Sequence, residues 1–169
     1  GLPEAGVVFC CFNNHYKITP DAFDVWMRLL SAVPGSVLWL LEAGDVAESN
    51  LRREAEARGI DRTRLVFAPR LPRAEHLRRH RLADIFLDTL HYGAHTTASD
   101  ALRAGLPVVT RTGHTFASRV ATSLLRSLGV GELAVSDLIA YEALSLELAR
   151  NSNRRRQFGQ KICANALNS

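Results

Sequence analysis

The chain has 169 residues, of which 47% are hydrophobic and 22% are charged, as is typical of one soluble globular domain with a sizeable core. Its longest unbroken apolar run covers residues 7–12, far short of the roughly 20 residues that a membrane span needs, so we expect no membrane partner. The formal charge of +4 comes mostly from arginines scattered among acids, which favours local phosphate contacts over a nucleic-acid-binding face.

The first half of the chain alternates apolar runs with amphipathic stretches. Residues 7–12 predict a buried strand, and residues 13–17 form a polar loop at its carboxyl end. A helix then begins with Thr19 as its cap and Pro20 in the first position, where a missing N–H costs nothing. Pro34-Gly35 ends this helix. The next predicted elements are a strand over 36–41, a helix over 46–58 that ends at Gly59, a strand over 65–68 and a helix over 74–82.

The second half continues the same alternation. A strand over 85–89 is followed by a glycine-containing turn and by a helix that opens at Thr96-Thr97 and ends at Gly105. The remaining predicted elements are a strand over 107–110, a helix over 116–128, a weak strand over 133–135, and helices over 138–150 and 154–167. Most of the strands are uniformly apolar. This pattern predicts one α/β domain over residues 1–169, with a doubly wound, Rossmann-like parallel sheet and helices on both faces.

The cysteines indicate a reducing compartment. Cys10 and Cys11 lie within the first predicted strand, and Cys163 stands alone near the end of the chain. An odd count without metal-ligand spacing predicts buried, reduced thiols and no metal centre. Because no basic-then-apolar leader opens the chain, we expect a cytoplasmic protein. The chain starts without methionine and stops inside a predicted helix, so we expect it to be a piece of a longer protein.

The loops at the carboxyl ends of the strands should share one edge of the sheet, which is where parallel sheets bind ligands. This edge lacks the Gly-x-Gly-x-x-Gly and Walker patterns, so ordinary dinucleotide or P-loop binding is disfavoured. It collects instead a set of cations and hydrogen-bond donors: Lys17, Arg70, Arg73, His76, Arg79, His95, Thr96 and Thr97. Arginine and lysine both suit phosphate oxygens, so the edge predicts a phosphate-bearing ligand.

The helix start at Thr96-Thr97 is the predicted centre of this site. A helix begins with unsatisfied backbone N–H groups and partial positive charge, which the oxygens of a diphosphate complement. Lys17 would face the same diphosphate from the first loop. Asp100 would accept hydrogen bonds from ribose hydroxyls, and His76 would stack on a base.

These residues also have structural interpretations. Thr97 and Asp100 have the spacing of a capping box with a shortened acid. Lys17 could instead pair with Asp21 in solvent, a contact that contributes little. His76 lies on an arginine-rich helix and could be simply exposed. The remaining histidines, His15, His80, His91 and His114, are interpreted as surface or loop residues without a role.

Four motifs occur in order along the chain. The first two are Phe12-Asn13-x-x-Tyr16-Lys17 and Leu82-Ala83-Asp84-x-x-Leu87-Asp88-Thr89. The other two are Ala94-His95-Thr96-Thr97-x-x-Asp100-Ala101-Leu102-x-Ala104-Gly105-x-Pro107-Val108 and Ala117-Ser118-Arg119-Val120-Ala121. Together they resemble the carboxyl-terminal catalytic lobe of the O-linked N-acetylglucosamine transferase family, which includes SPINDLY-like proteins and bacterial tetratricopeptide-repeat relatives.

The resemblance implies the nucleotide-binding half of a GT-B glycosyltransferase, in which two Rossmann-like lobes flank a cleft. It implies inverting transfer of N-acetylglucosamine from UDP-N-acetylglucosamine to serine or threonine hydroxyls of proteins, without a cofactor or an obligatory metal. Lys17 would be the catalytic residue that helps to stabilise the departing UDP. The other implied UDP-sugar contacts are Asn14 on the phosphates, Arg70 and Leu71 on the uracil through backbone groups, Arg73 and Asp100 on the ribose, His76 stacked on the uracil, Arg79 near the nucleotide, and His95, Thr96 and Thr97 around the diphosphate.

The chain departs from the family at two places. Relatives have Pro-Tyr-Asn where this chain has His91-Tyr92-Gly93, and Asn14 is shorter than the glutamine of the family. The amino-terminal lobe and the repeats, through which the family binds protein acceptors, are absent, so we expect the isolated chain to be inactive. A degenerate lobe that binds nucleotide as a sensor or scaffold is one alternative. Another GT-B enzyme, such as a sugar epimerase or a small-molecule glycosyltransferase, is disfavoured by Lys17 together with His95-Thr96-Thr97.

Overall fold

The computed structural model describes residues 1–166, in which a six-stranded parallel sheet is packed between helices. The strands are β1 (Val8–Cys11), β2 (Val37–Leu41), β3 (Leu65–Ala68), β4 (Ile85–Leu87), β5 (Val108–Arg111) and β6 (Ala134–Val135). Their order across the sheet is β3-β2-β1-β4-β5-β6, and every neighbouring pair is parallel. Successive strands are added in one direction from β1 and in the opposite direction from β4, so the strand order reverses between these two strands. The predicted doubly wound, Rossmann-like architecture is confirmed.

The helices form a layer on each side of the sheet. Within residues 1–166 they are α1 (Pro20–Ala32), α2 (Asp45–Ala57), α3 (Arg73–Arg79), α4 (Thr96–Arg103), α5 (Val120–Ser127), α6 (Leu138–Arg150) and α7 (Ser152–Ala166). Helix α1 packs against α6, whereas α4 packs against α3, α5 and α7. Right-handed crossovers that build the sheet in opposite directions from β1 and β4 place α1 and α4 on opposite faces. The last helix was predicted to reach Leu167, which lies outside the described residues.

The central strands are buried on both faces, as their uniformly apolar sequences predict. Phe9, Cys10 and Cys11 of β1 are fully buried, and so is Phe86 of β4. The two cysteines are unpaired, as expected. Burial raises the pKa of the Cys11 thiol to about 12, so this thiol stays protonated at neutral pH. In the part of the chain that the structure describes, no helix combines the length and the apolar composition needed to cross a membrane.

A buried hydrogen-bonded chain joins two helices to the end of β4. The indole N–H of Trp26 on α1 donates to the hydroxyl of Tyr141 on α6 at 3.1 Å. That hydroxyl donates in turn to the backbone carbonyl of Asp88 at 3.0 Å. All three residues are buried. The hydrogen bond from Tyr141 therefore fixes the carboxyl end of β4. The candidate site is built on the loop that follows this strand.

The strand predicted over residues 85–89 stops at Leu87. The next two residues, Asp88 and Thr89, are buried and turn their side chains into a polar network with the loops. The backbone N–H of Asp88 still donates to Val109 of β5 at 3.0 Å, but the carbonyl of Asp88 accepts from Tyr141 and not from a neighbouring strand. The strand is shorter than predicted because its last residues are used to organise the edge of the sheet.

Two predicted helices are divided or tightened. The helix predicted over residues 116–128 is a 3₁₀ turn at Phe116–Ser118 followed by α5, because Thr115 and Ser118 form a capping box that closes the first turn. The helix predicted over residues 74–82 begins one residue earlier and ends as a 3₁₀ turn at His80–Leu82.

Candidate functional site

A cavity of about 460 Å³ opens where the ends of β1 and β2 meet the loops after β1, β3 and β4. It lies beside the reversal of strand order between β1 and β4, which is where open α/β sheets bind ligands. The lining residues are Phe12, Asn13, Asn14, Lys17, Leu41, Arg70, Leu71, His76, Arg79, Tyr92, His95, Thr96 and Thr97. All of the predicted site residues except Arg73 and Asp100 therefore meet around this cavity.

Arg73 and Asp100 are not part of the cavity wall. Arg73 is exposed in the first turn of α3. Asp100 is buried on α4, where its charge acts on His76 and His80 of the neighbouring segment. Both residues lie on helices that border the cavity, and their ribose contacts stay predictions.

One end of the cavity is organised by Tyr92. The ammonium group of Lys17 lies 3.9 Å from the centroid of the Tyr92 ring and donates to the carbonyl oxygen of Gly93 at 3.3 Å. The imidazole of His95 stacks on the same ring with 5.2 Å between centroids. Its Nε2–H donates to the carbonyl oxygen of Ala117 at 3.2 Å. Two cationic or donor side chains are thus held together at the edge of the sheet, as the sequence predicted.

The structural interpretation of Lys17 is wrong. Asp21, its proposed partner, accepts instead from the hydroxyl of Thr19 and from its own helix at Ala22 N. The remaining carboxylate oxygen of Asp21 lies 3.5 Å from His91 Nε2. Thr19 occupies the cap position predicted for it, but its side chain makes no bond to the helix backbone. Lys17 is therefore free of carboxylate partners among the described residues and points to the cavity end.

The start of α4 has no side-chain cap, so the capping-box interpretation of Thr97 and Asp100 is also wrong. The helix begins at Thr96 with His95 as its N-cap residue, and no side chain bonds to its first N–H groups. The hydroxyl of Thr97 donates instead to the amide oxygen of Asn13 at 2.5 Å. The first N–H groups of α4 are thereby left for a ligand at the cavity, where the partial positive charge of the helix end favours an anion.

Asn13 and Asp88 hold the cavity floor, and the sequence analysis gave neither a role. The amide nitrogen of Asn13 donates to Thr89 Oγ1 at 2.8 Å and to Asp88 Oδ1 at 3.3 Å. Asp88 also accepts from the backbone N–H of Ala94 at 2.6 Å and from the Thr110 hydroxyl at 2.7 Å. Burial raises the pKa of Asp88 to about 6, although these donors oppose the shift. A polar residue directly after a buried strand is the signal that could have identified them.

The other end of the cavity is formed by α3. Arg79 is buried, and its guanidinium contacts His76 Nδ1 at 2.5 Å and donates to the carbonyl oxygen of Pro69 at 2.6 Å. Because a guanidinium has only donors, His76 Nδ1 accepts, and the ring carries its proton on Nε2. Burial and the charge of Arg79 lower the pKa of His76, so the ring is neutral at neutral pH. A half-buried, oriented imidazole is thus presented to the cavity.

His80 is buried, and its assignment as a surface histidine is wrong. Its ring lies edge-on to Phe12 and to His76, with centroids 5.0 and 4.7 Å away. Its Nδ1–H donates to the backbone carbonyl of His76 at 2.7 Å. Burial lowers its pKa to about 4. His80 follows His76 by four residues, so the two side chains share one face of the helix, and His80 packs beneath the cavity wall.

The loops after β1 and β3 meet across the cavity mouth. The side-chain oxygen of Asn14 accepts from the Arg70 guanidinium at 3.5 Å, and its nitrogen donates to the Tyr16 hydroxyl at 3.3 Å. The backbone N–H of Arg70 donates to Glu42 at 2.9 Å, which fixes the loop after β3. The predicted Asn14 and Arg70 contacts are therefore brought to the same rim.

Gly93, in the loop after β4, packs closely against its neighbours. A Cβ atom at this position would lie 3.1 Å from Asp88 Oδ2 and 3.2 Å from the carbonyl oxygen of Ala117. The backbone N–H of Gly93 donates to that carbonyl at 3.0 Å. The glycine lets the loop after β4 lie directly against the buried carboxylate.

The fold and the cavity define a Rossmann-like lobe whose switch point carries a cation-lined site suited to an anionic ligand. The sequence matches the family described as Glycosyl transferase family 41 over residues 1–169, and the chain belongs to that family. The predicted relationship to O-linked N-acetylglucosamine transferases and SPINDLY proteins is confirmed. Among residues 1–166, no group of three or more His, Cys, Asp or Glu side chains is arranged to hold a metal ion.

Individual proteins of known sequence or structure are similar to most of the chain. It is 40% identical over 161 residues to the UDP-N-acetylglucosamine–peptide N-acetylglucosaminyltransferase of Caenorhabditis elegans, a match that covers 95% of this chain and 14% of that protein. It is 36% identical over 153 residues to the SPINDLY protein of Arabidopsis thaliana, covering 88% and 17% of the two sequences. The solved structure of the K341M mutant of Thermobaculum terrenum O-GlcNAc transferase superposes with a TM-score of 0.91 at 34% identity, covering 98% of this chain and 33% of that one. The chain thus spans a minor part of each relative.

Proposed function

We propose that the chain is the UDP-sugar-binding lobe of an inverting protein O-glycosyltransferase, which transfers N-acetylglucosamine from UDP-N-acetylglucosamine to serine or threonine hydroxyls. The name of the Caenorhabditis elegans relative supports both the donor and the peptide acceptor. The observation that carries the proposal is a convergence: Lys17, the uncapped start of α4 and the oriented His76 ring all meet at one cavity.

The two ends of the cavity suit the two parts of a nucleoside diphosphate. At the Tyr92 end, Lys17 and the first N–H groups of α4 receive the diphosphate, with the exposed Thr96 hydroxyl as a further donor. At the α3 end, the neutral His76 ring offers a face for stacking on uracil. The backbone of the loop at Arg70 and Leu71 lies on the same rim and supplies hydrogen-bonding groups for the base.

The proposed reaction needs charge stabilisation at one place. As the acceptor oxygen attacks the anomeric carbon and loses its proton to solvent water, the bond to the β-phosphate oxygen breaks and negative charge develops on UDP. Lys17 and the N–H groups of α4 lie where that charge would form, which is the kind of preorganised stabilisation that contributes most to such reactions. Lys17 is therefore assigned as the catalytic residue, and the proposal requires no metal ion or other cofactor.

A nucleotide-binding sensor or scaffold without transfer activity is the second candidate. The observation that favours it is the loop at His91-Tyr92-Gly93, where Lys17 is bound by the Tyr92 ring and the Gly93 carbonyl. A lysine that kept these two contacts would bind nucleotide weakly and would not neutralise the charge on the leaving group. In either case we propose that protein partners bind through an amino-terminal lobe and repeats outside this chain, in the cytoplasm.

A binding titration tests the shared part of the proposal. In the intact protein that contains this chain, UDP should bind more tightly than UMP, because the second phosphate reaches Lys17 and the start of α4. Equal affinities would contradict a diphosphate site. An assay of the same protein with a panel of UDP- and GDP-sugars and a peptide acceptor then separates the two candidates. Transfer from UDP-N-acetylglucosamine supports the enzyme, and tight binding without transfer from any donor supports the sensor.

A further inference from the structure

We propose that Asn13 is a positioning residue for the diphosphate, because its side-chain amide fixes the start of α4 and turns the Thr97 hydroxyl proton away from the ligand. The inference rests on the proposed nucleotide site. It concerns how that site is held, since Asn13 links the end of β1 to the loop after β4 and to α4.

The direction of each hydrogen bond follows from its neighbour. The carbonyl oxygen of Tyr92 can only accept, so the Thr89 hydroxyl donates its one proton to that oxygen, at 2.7 Å. Thr89 Oγ1 therefore faces Asn13 as an acceptor, at 2.8 Å. This places the amide nitrogen of Asn13 toward Thr89 and its amide oxygen toward Thr97. Since an amide oxygen only accepts, Thr97 must donate to it.

The consequence is a defined polarity at the cavity. The Thr97 hydroxyl has no second proton, so it presents only lone pairs to a ligand. Phosphate oxygens at this helix start must be received by backbone N–H groups, by the Thr96 hydroxyl and by Lys17. Thr97 contributes by holding its own N–H group in place. This differs from the expectation that both threonine hydroxyls donate to the anion.

The hydrogen-bonded network around Asn13 is buried enough to hold the start of α4 in a fixed position. Asn13, Asp88 and Thr89 are 4%, 1% and 1% exposed, so water does not compete for their hydrogen bonds. Asp88 accepts a second hydrogen bond from the amide nitrogen of Asn13. It also accepts from Ala94 N–H in the loop that leads to α4. A change at Asn13 or Thr89 is therefore transmitted to the first turn of α4, although Thr89 does not line the cavity.

The test compares UDP and uridine binding by calorimetry in the intact protein. Asn13→Leu removes the amide and keeps the same branched arrangement of side-chain heavy atoms, and Thr89→Val removes the acceptor that orients the amide. Both substitutions should weaken UDP binding by about tenfold and leave uridine binding within about twofold, because only the diphosphate end of the ligand depends on this network. Thr122→Val is the matched control. Thr122 is also buried and hydrogen-bonded, to Thr112 at 3.0 Å, but it lies outside the cavity wall, so the preference for UDP should be unchanged.

The outcomes separate this inference from the proposed function. A wild-type protein that binds UDP no more tightly than uridine would overturn the function. A wild type that prefers UDP, with Thr89→Val retaining the full preference, would overturn the inference alone. Thr89→Val decides the matter if Asn13→Leu does not fold. A role that is only structural would lower the unfolding temperature of these variants while leaving their ratio of UDP to uridine affinity at the wild-type value.

A double-mutant cycle tests the polarity. If Thr97 acts through Asn13, adding Thr97→Val to Asn13→Leu should weaken UDP binding no further than the stronger single change. If the Thr97 hydroxyl donates to phosphate independently, the two losses should multiply. The second result would overturn the assignment of Thr97 as an acceptor toward the ligand.

Discussion

Replacing His80 with phenylalanine should change how the stability of the fold responds to acid. His80 is fully buried, and the titratable groups that act on it are His76 and Arg79 on α3 and Asp100 on α4. Burial lowers its pKa from 6.5 to about 4. The unfolded chain therefore takes up the proton more readily, and acid favours unfolding. The contribution of His80 to stability is complete above about pH 6.5 and is lost as the pH falls toward 4.

The size of the effect follows from the two pKa values. Between pH 7 and pH 4.5, the depressed pKa of His80 lowers the free energy of unfolding by about 2 kcal/mol. Asp88 acts with the opposite sign. Burial raises its pKa from 3.8 to about 6, so the folded state binds the proton more tightly and gains about 2 kcal/mol over the same interval. In the wild type these two contributions nearly cancel.

Urea unfolding of both proteins at pH 7 and pH 4.5 measures the prediction. Relative to wild type, the free energy of unfolding of His80→Phe should rise by about 2 kcal/mol on going to pH 4.5, because the penalty of protonating His80 is gone. Asp88→Asn is the control of opposite sign, and its relative stability should fall by a similar amount over that range. A difference between His80→Phe and wild type that is the same at both pH values would refute the reasoning.

Two further predictions concern the reaction of the intact protein. Lys17→Ala should lower turnover on the order of 100-fold and change the affinity for UDP-sugar far less, because in the proposed reaction the lysine stabilises charge that develops on the leaving UDP. The other lysine, Lys161, supplies the control Lys161→Ala, and a Lys17→Ala effect confined to affinity would remove the leaving-group role. Exhaustive dialysis against EDTA should leave the transfer rate within about twofold, since we propose that Lys17 and backbone N–H groups, and no metal ion, neutralise the diphosphate. Activity that is lost on dialysis and restored by Mg²⁺ would contradict this.

The convergence of the site was predictable because it depends on the sheet and not on details of the loops. Uniformly apolar strands separated by helices specify a parallel sheet, and the carboxyl ends of parallel strands share one edge. Lys17, Arg70 and His95 follow three different strands, so they had to meet once the strand order was known. The sequence pattern was sufficient to place these residues on one edge, and the strand order of the structure brings them to one cavity.

The buried polar contacts were not predictable in the same way. The position of Asn13 directly after a buried strand marks it as a candidate, but its partner Thr89 is 76 residues away, and no local pattern identifies that partner. His80 was misassigned because its burial depends on contact with Phe12 after β1, which is distant in the sequence. Both errors concern packing between elements, which secondary-structure periodicity does not encode.

The departure at Gly93 can be weighed against the catalytic assignment of Lys17. The ammonium group is held there by one carbonyl and one aromatic face, which together stabilise it by about 1–3 kcal/mol. A phosphate charge at about 4 Å attracts the same ammonium by about 4 kcal/mol at the effective dielectric of a protein surface, and a diphosphate brings more than one charge. A bound diphosphate therefore outcompetes Gly93 and Tyr92 for Lys17. The glycine lets the loop pack against Asp88, and the backbone carbonyl of residue 93 and the Tyr92 ring give the lysine a resting contact. In the proposed reaction this contact is too weak to keep Lys17 from the leaving group.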